Sequence, residues 1–241
     1  MGNRITIKFN YFGPFIKKED LEKVLDPEFN SLIGTVYEIN RIILEEFFEL
    51  PVSVLKKETI ERYEETTSTD LHFYIVPHSD KIEEKLLKPL QSAKRNYCLG
   101  DYISTIAVCG IFAEMLAILV WKMNELNVSG RRLLEKEEEK LFGRSFENLG
   151  QDQRINILSV LNLIDAGQKE KFDQIRRVRR QYLHFWSSAI KDQRRHSLEV
   201  LKHSFHLLRE ITDIGLADAG TVKVNPKLVK MIEYKENDNP S

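Results

Sequence analysis

Apolar residues recur at three- and four-residue intervals along most of this chain, the period of a helix face packed on a core. The pattern is clearest between residues 81 and 214. Ile82, Leu86, Leu90 and Tyr97 predict a first helix over 81–99, kinked at Pro89, which lacks a backbone donor. Residues 101–124 predict a central helix that is apolar nearly all round, as the middle of a bundle requires. Ser129 is expected to cap a charged helix over 131–142, and an amphipathic helix over 152–164 leads into an Asp165-Ala-Gly167 turn. Ile175, Val178, Tyr182, Phe185 and Ala189 mark the buried face of a helix over about 169–190. Leu198, Leu201, Phe205, Leu208 and Ile211 mark a closing helix over 197–214.

Outside that block the pattern is mixed. Ile5, Ile7, Phe9 and Tyr11 alternate with Thr6, Lys8 and Asn10, which predicts a half-buried strand ended by Gly13-Pro14. Residues 20–50 read as helical, mainly from Pro27, with Leu32, Val36, Ile39, Ile43 and Phe47 on one face. Ser53 is the expected N-cap of a short helix over 53–65, and 71–76 is a second short strand. After Gly215, residues 221–226 and 231–234 are expected to add a strand and a short helix or strand to the N-terminal region. The expected fold class is therefore mainly α. Residues 1–80 form a small accessory α+β element, 81–214 an antiparallel helical bundle, and 215–241 a tail packing on the accessory element.

At 241 residues the chain is long enough to bury a core without staples, and 42% apolar with 30% charged residues is ordinary for a globular protein. Its net charge of -1 argues against coating nucleic acid non-specifically, so any contact of that kind needs a local patch. Between Gln168 and His196 there is one: nine lysines and arginines against three acids. The two cysteines, Cys98 and Cys109, suggest neither a disulfide framework nor a metal site, and fit a reducing, cytoplasmic compartment. The start, Met-Gly-Asn-Arg-Ile-Thr, lacks the pattern of a signal peptide. Ile103 to Trp121 carries one charge, Glu114, and is close to membrane-spanning length. A bundle centre explains the same run, so no membrane partner is expected. The Glu135 to Lys140 run is read as a solvated face rather than a metal site.

The candidate site is the stretch Gln174 to Ser187, Q-I-R-R-V-R-R-Q-Y-L-H-F-W-S. At about 100° per residue, His184 lies opposite the apolar stripe, with Arg177 about 20° and Arg180 about 40° from it. Arg176, Arg177, Arg179 and Arg180 are like charges within about one turn and repel unless an anion or acidic side chain answers them. A solvated helix face and a cationic site at a cleft or interface both remain open. Glu114 is a lone carboxylate on an apolar helix, which needs a partner, and an arginine of this stretch is the obvious one. Whether that pair is structural or catalytic is also open.

Arg179 and His184 have the form R-x4-H, which resembles the signature of the HEPN superfamily of helical nucleotide- and RNA-binding domains, many of them ribonucleases. Upstream, Ser92 to Leu116 is similar to the family's first helical hairpin, with a Gly100-Asp-Tyr turn and an inward glutamate, Glu114. The resemblance covers about residues 82–213. It implies an HEPN-like bundle acting as a homodimer on RNA, without cofactor or metal. Arg179, His184 and Glu114 are the catalytic candidates and Arg176, Arg177 and Arg180 the RNA-phosphate contacts. A toxin or defence effector is the implied role, with an antitoxin or defence-system protein as partner. One departure is Arg180, where family nucleases often carry Asn, Asp or His. It favours the alternative, a catalytically silent HEPN-like module that binds RNA, a nucleotide or a protein.

Overall fold

The computed structural model describes residues 6–9, 11–13, 36–67, 75–129, 131, 133–183, 192–216 and 222–237. They are mainly helical. Two short antiparallel ladders accompany nine named helices: β1 (Thr6–Phe9), α1 (Val36–Phe48), α2 (Lys57–Glu65), β2 (Ile75–His78), α3 (Lys88–Leu99), α4 (Tyr102–Ser129), α5 (Glu135–Phe142), α6 (Gln151–Val160), α7 (Ala166–Leu183), α8 (Gln193–Thr212), β3 (Gly215–Leu216), β4 (Val222–Lys223) and α9 (Pro226–Asn237).

α4 is the axis. By length and composition it is the one described helix apolar enough to cross a membrane. Here α3, α6, α7, α8 and α9 all pack on it. Ile106, Phe112, Leu116 and Trp121 are fully buried at its centre. α3 and α4 form a hairpin because Gly100, at φ 89°, adopts the left-handed conformation that ends α3. Asp101 Oδ1 then accepts the Ser104 N–H at 3.1 Å and caps α4. The kink expected at Pro89 takes the form of a π-helical turn, Glu83–Leu87, running into α3 from a short helical turn, Asp80–Ile82. Widening the helix one turn before a proline accommodates its missing donor.

β1 pairs with β2 from Thr6 opposite His78 to Phe9 opposite Ile75. Just beyond β1, Phe12 enters the bundle core edge-on to Phe205, with ring centroids 5.0 Å apart. A second cluster of Leu44, Phe47, Phe48, Val52, Tyr63 and Cys98 joins α1 and α2 to the back of α3. Between the clusters lies Lys94, 1% exposed. Its ammonium donates to Phe12 O at 2.7 Å and Thr67 Oγ1 at 2.9 Å, and stands 4.5 Å from the Tyr63 ring centroid. Burial pushes its pKa down to about 8.

Several expectations need correction. The described tail does not extend the N-terminal ladder: β3 and β4 pair with each other. α9 seats Leu228 and Met231 on the core, and Lys227 Nζ reaches Asn124 Oδ1 at 2.6 Å, because the far end of α4 is apolar and must be covered. Ser53 caps nothing, since Val52–Val54 is a 3-10 turn and α2 begins at Lys57 behind Lys56. Ser129 ends α4 instead of opening α5, where the Glu137 carboxylate takes the cap role by accepting Leu134 N–H at 2.8 Å. The Glu135 to Lys140 run is not wholly solvated. Glu138 is 4% exposed and accepts Trp121 Nε1 at 2.7 Å and Phe146 N–H at 2.8 Å. α8 starts at Gln193, five residues before its apolar stripe begins at Leu198, because its first turn faces solvent and leaves no periodic signal.

Candidate functional site

Glycine in a helix interior costs about 1 kcal/mol relative to alanine, so Gly110, inside α4, needs a reason. Arg179 supplies it. A Cβ on Gly110 would overlap the Arg179 Cδ, so the arginine stem lies where a side chain would have been. Glu114 is four residues further on the same face of α4, and its carboxylate receives the Arg179 guanidinium. Glycine, glutamate and arginine thus form one unit between α4 and α7, with both charged side chains about a quarter exposed.

Glu114 also acts on Arg154 of α6. That guanidinium donates to Phe146 O at 3.2 Å and Glu147 O at 2.6 Å. Burial lowers its pKa, and the charges of Glu114 and Glu147 oppose the shift.

Two more arginines of α7, Arg176 and Arg177, meet acids in turn. Arg176 bridges Asp152 at 2.8 Å and Asp173 at 3.2 Å. Burial raises the Asp173 pKa, and Lys169 and Arg176 more than offset it, leaving that carboxyl below its usual range. Arg177 is exposed and lies 4.0 Å from Glu170. The repulsion expected among Arg176, Arg177 and Arg179 is therefore relieved by the chain's own acids.

Arg176, Arg179 and Arg180 share the wall of a small cleft with Gly110, Ala113, Gln151 and Ile175. Its volume of about 40 Å³ holds a water or one oxygen atom of a larger group. The Nε atoms of Arg176 and Arg179 and both polar atoms of the Gln151 amide are buried without a hydrogen-bond partner among the described residues. Arg177 does not line this cleft. His184, with Phe185 and Ala189, lies outside the described residues. Among the described residues no group of three His, Cys, Asp or Glu side chains is placed to hold a metal ion.

Sequence reasoning missed Gln151, Asp152 and Arg154, which carry no motif and reach the site only because α6 packs against α7. It also missed His196. The Tyr182 hydroxyl lies 2.7 Å from His196 Nδ1, and Arg195 Nη2 lies 3.1 Å from Nε2. A guanidinium only donates, so Nε2 accepts and Nδ1–H points to the tyrosine. The Tyr182 pKa is raised, by burial first and then by Asp192. Fourteen residues separate the two rings, a spacing no local pattern reveals.

These elements define the chain as a mainly helical protein with a charged cleft on its central helix. Compared with protein-family models, with curated proteins and with solved structures, it finds no match in any of the three.

Proposed function

We propose that this protein is a metal-independent endoribonuclease of HEPN type, cleaving RNA at a site shared by two subunits. In this reading residues 81–214 are an HEPN-like antiparallel bundle and 1–80 an accessory α+β element. The observation that carries it is Arg179, anchored by Glu114 five residues before His184, with an unanswered Nε–H in the wall of the cleft it shares with Arg176, Arg180 and Gln151.

The chemistry follows from the residue types. A 2'-hydroxyl attacks the adjacent phosphate, a base takes its proton, and an acid protonates the departing 5'-oxygen. Histidine as a residue type can fill either proton role near neutral pH, and His184 is the candidate for it. Arg179 and its neighbours present donors to the non-bridging oxygens, where charge builds up. One imidazole cannot serve as acid and base in the same step, and two subunits supply two. A cytoplasmic toxin or defence effector, held by an antitoxin or another defence-system protein, is the role this activity suits.

Labelled RNA incubated in EDTA tests the reading. Wild type is expected to leave 2',3'-cyclic phosphate ends, and His184→Ala to abolish cleavage while keeping fold and subunit association. Undiminished cutting by His184→Ala would remove the assignment. The alternative, a silent HEPN-like module that binds RNA, a nucleotide or a protein, is favoured by the acidic partners of Arg176, Arg177 and Arg179. It expects RNA to stay intact for hours while binding weakens steeply with salt.

A further inference from the structure

A second cleft lies away from the arginines, at the open end of the α3–α4 hairpin. It measures about 470 Å³, within the range of small-molecule sites. Two helical faces make its sides. Ile82 and Leu86 come from the turns leading into α3, and Met115, Ile118 and Leu119 come from α4, with Met231 of α9 closing the floor. Spacings of three, four and seven residues put Met115, Ile118, Leu119 and Lys122 on one face of α4. The two methionines add unbranched, adaptable surface.

The polar groups are not spread evenly. Because the hairpin turns at Gly100 and runs back on itself, Ser79 and Lys81 return to the level of Lys122, while Lys85 stands one turn further in. Glu147 and Asn148 complete this end, and Glu147 lies 3.7 Å from Lys122. Three lysines against one glutamate leave the mouth with an excess of two positive charges over an apolar interior. The π-helical turn, Glu83–Leu87, carries Lys85 and Leu86 into the wall. Such turns recur at functional sites because they re-aim side chains that a regular helix would direct elsewhere.

From this arrangement we infer that the cleft is a binding site for a free amphipathic anion, a single aliphatic chain of medium length ending in a carboxylate. The chain lies between Ile82, Leu86, Met115 and Ile118, and the carboxylate meets Lys81, Lys85 and Lys122 at the mouth. A neutral head group would gain no charge-assisted contact from the lysines, and a cationic one would be repelled. The inference is independent of the ribonuclease reading and stands whether or not the chain cuts RNA.

Isothermal titration calorimetry of the full chain with decanoate, decanol and decylamine tests it. Decanoate is expected to bind at least about tenfold more tightly than the other two, the contribution of a charge-assisted contact. The double variant Lys81→Glu, Lys85→Glu alters exposed residues and is expected to erase that preference with the thermal melt unchanged. Ile118→Trp, which fills the interior, is expected to lower decanoate affinity at least tenfold. Absence of decanoate binding to wild type overturns the proposal. So do equal affinities for the three heads, a preference that survives charge reversal, or uptake onto neutral lipid vesicles without binding of free decanoate.

Discussion

Lys94 and Arg179 are both cations held against the α3–α4 hairpin, yet the protein answers them in opposite ways. Lys94 is fully enclosed and meets a carbonyl, a hydroxyl and two aromatic faces. Arg179 is about a quarter exposed and meets a carboxylate. Deep burial makes a full ion pair expensive, since both charges lose their water, whereas dipoles and ring faces solvate a cation without adding a second buried charge. At the partly wet site the carboxylate keeps part of its hydration, and the pair can form. The same difference sets their chemistry. Lys94 loses proton affinity and ties Phe12, Thr67 and α3 together, while Arg179 lines a cleft.

The largest test of this contrast is Lys94→Ala. It opens a cavity and removes the ammonium from Phe12 O and Thr67 Oγ1, so unfolding in urea should show a loss of about 3 kcal/mol, far above that of an exposed lysine. Less than about 1 kcal/mol would mean that the N-terminal segment does not depend on this ammonium.

At the wet site, Gly110→Ala should destabilise wild type by about 1–2 kcal/mol, because the new methyl displaces Arg179 from Glu114. In an Arg179→Ala background the sign should reverse, with a gain of up to about 1 kcal/mol from helix propensity. Equal effects in both backgrounds would sever the proposed link between Gly110 and the ion pair.

The pH dependence sharpens the comparison further. Lys94 releases its proton near pH 8 in the folded chain and near its usual 10.5 when unfolded, so the unfolded state holds more protons in between. Lys94 by itself should therefore raise stability with pH from about 8 to 9, by up to about 1 kcal/mol per unit, and thiols ionising in the unfolded chain cut the net rise to about 0.4 kcal/mol per unit. Above 9 the buried thiols reverse the trend. Cys98 and Cys109, pushed up by burial to about 11 and about 12, stay protonated when folded and ionise when unfolded. Thermal melts of wild type and Lys94→Met at pH 7.5, 8.5 and 9.5 check it, with the rise expected only in wild type. The smallest effect belongs to Arg177→Ala, expected within about 0.5 kcal/mol of wild type in the same urea assay, since it faces an exposed glutamate, Glu170, at 4.0 Å.

Much of the bundle is readable without coordinates. The stripes of α3, α4, α7 and α8 come from residues three and four apart, and the need of Glu114 for an arginine follows from its place on an apolar helix. Which arginine it takes does not follow. Arg176, Arg177, Arg179 and Arg180 look alike in the chain, and Gly110 selects among them by leaving room for one stem. The Glu135 to Lys140 run misled for a similar reason: charge composition cannot reveal that Glu138 alone turns inward to Trp121.

What the sequence determined by itself is the helical character of this protein and the position of the residues able to do chemistry, because both depend on side-chain type and on periodicity within a few residues. What only the tertiary structure decided is which group answers each charge, from Asp152 for Arg176 to the Phe12 carbonyl and Thr67 hydroxyl for Lys94. Those pairings join residues 24 to 82 positions apart. Short-range periodicity carries no information over such separations, and packing around α4 brings them within hydrogen-bonding distance.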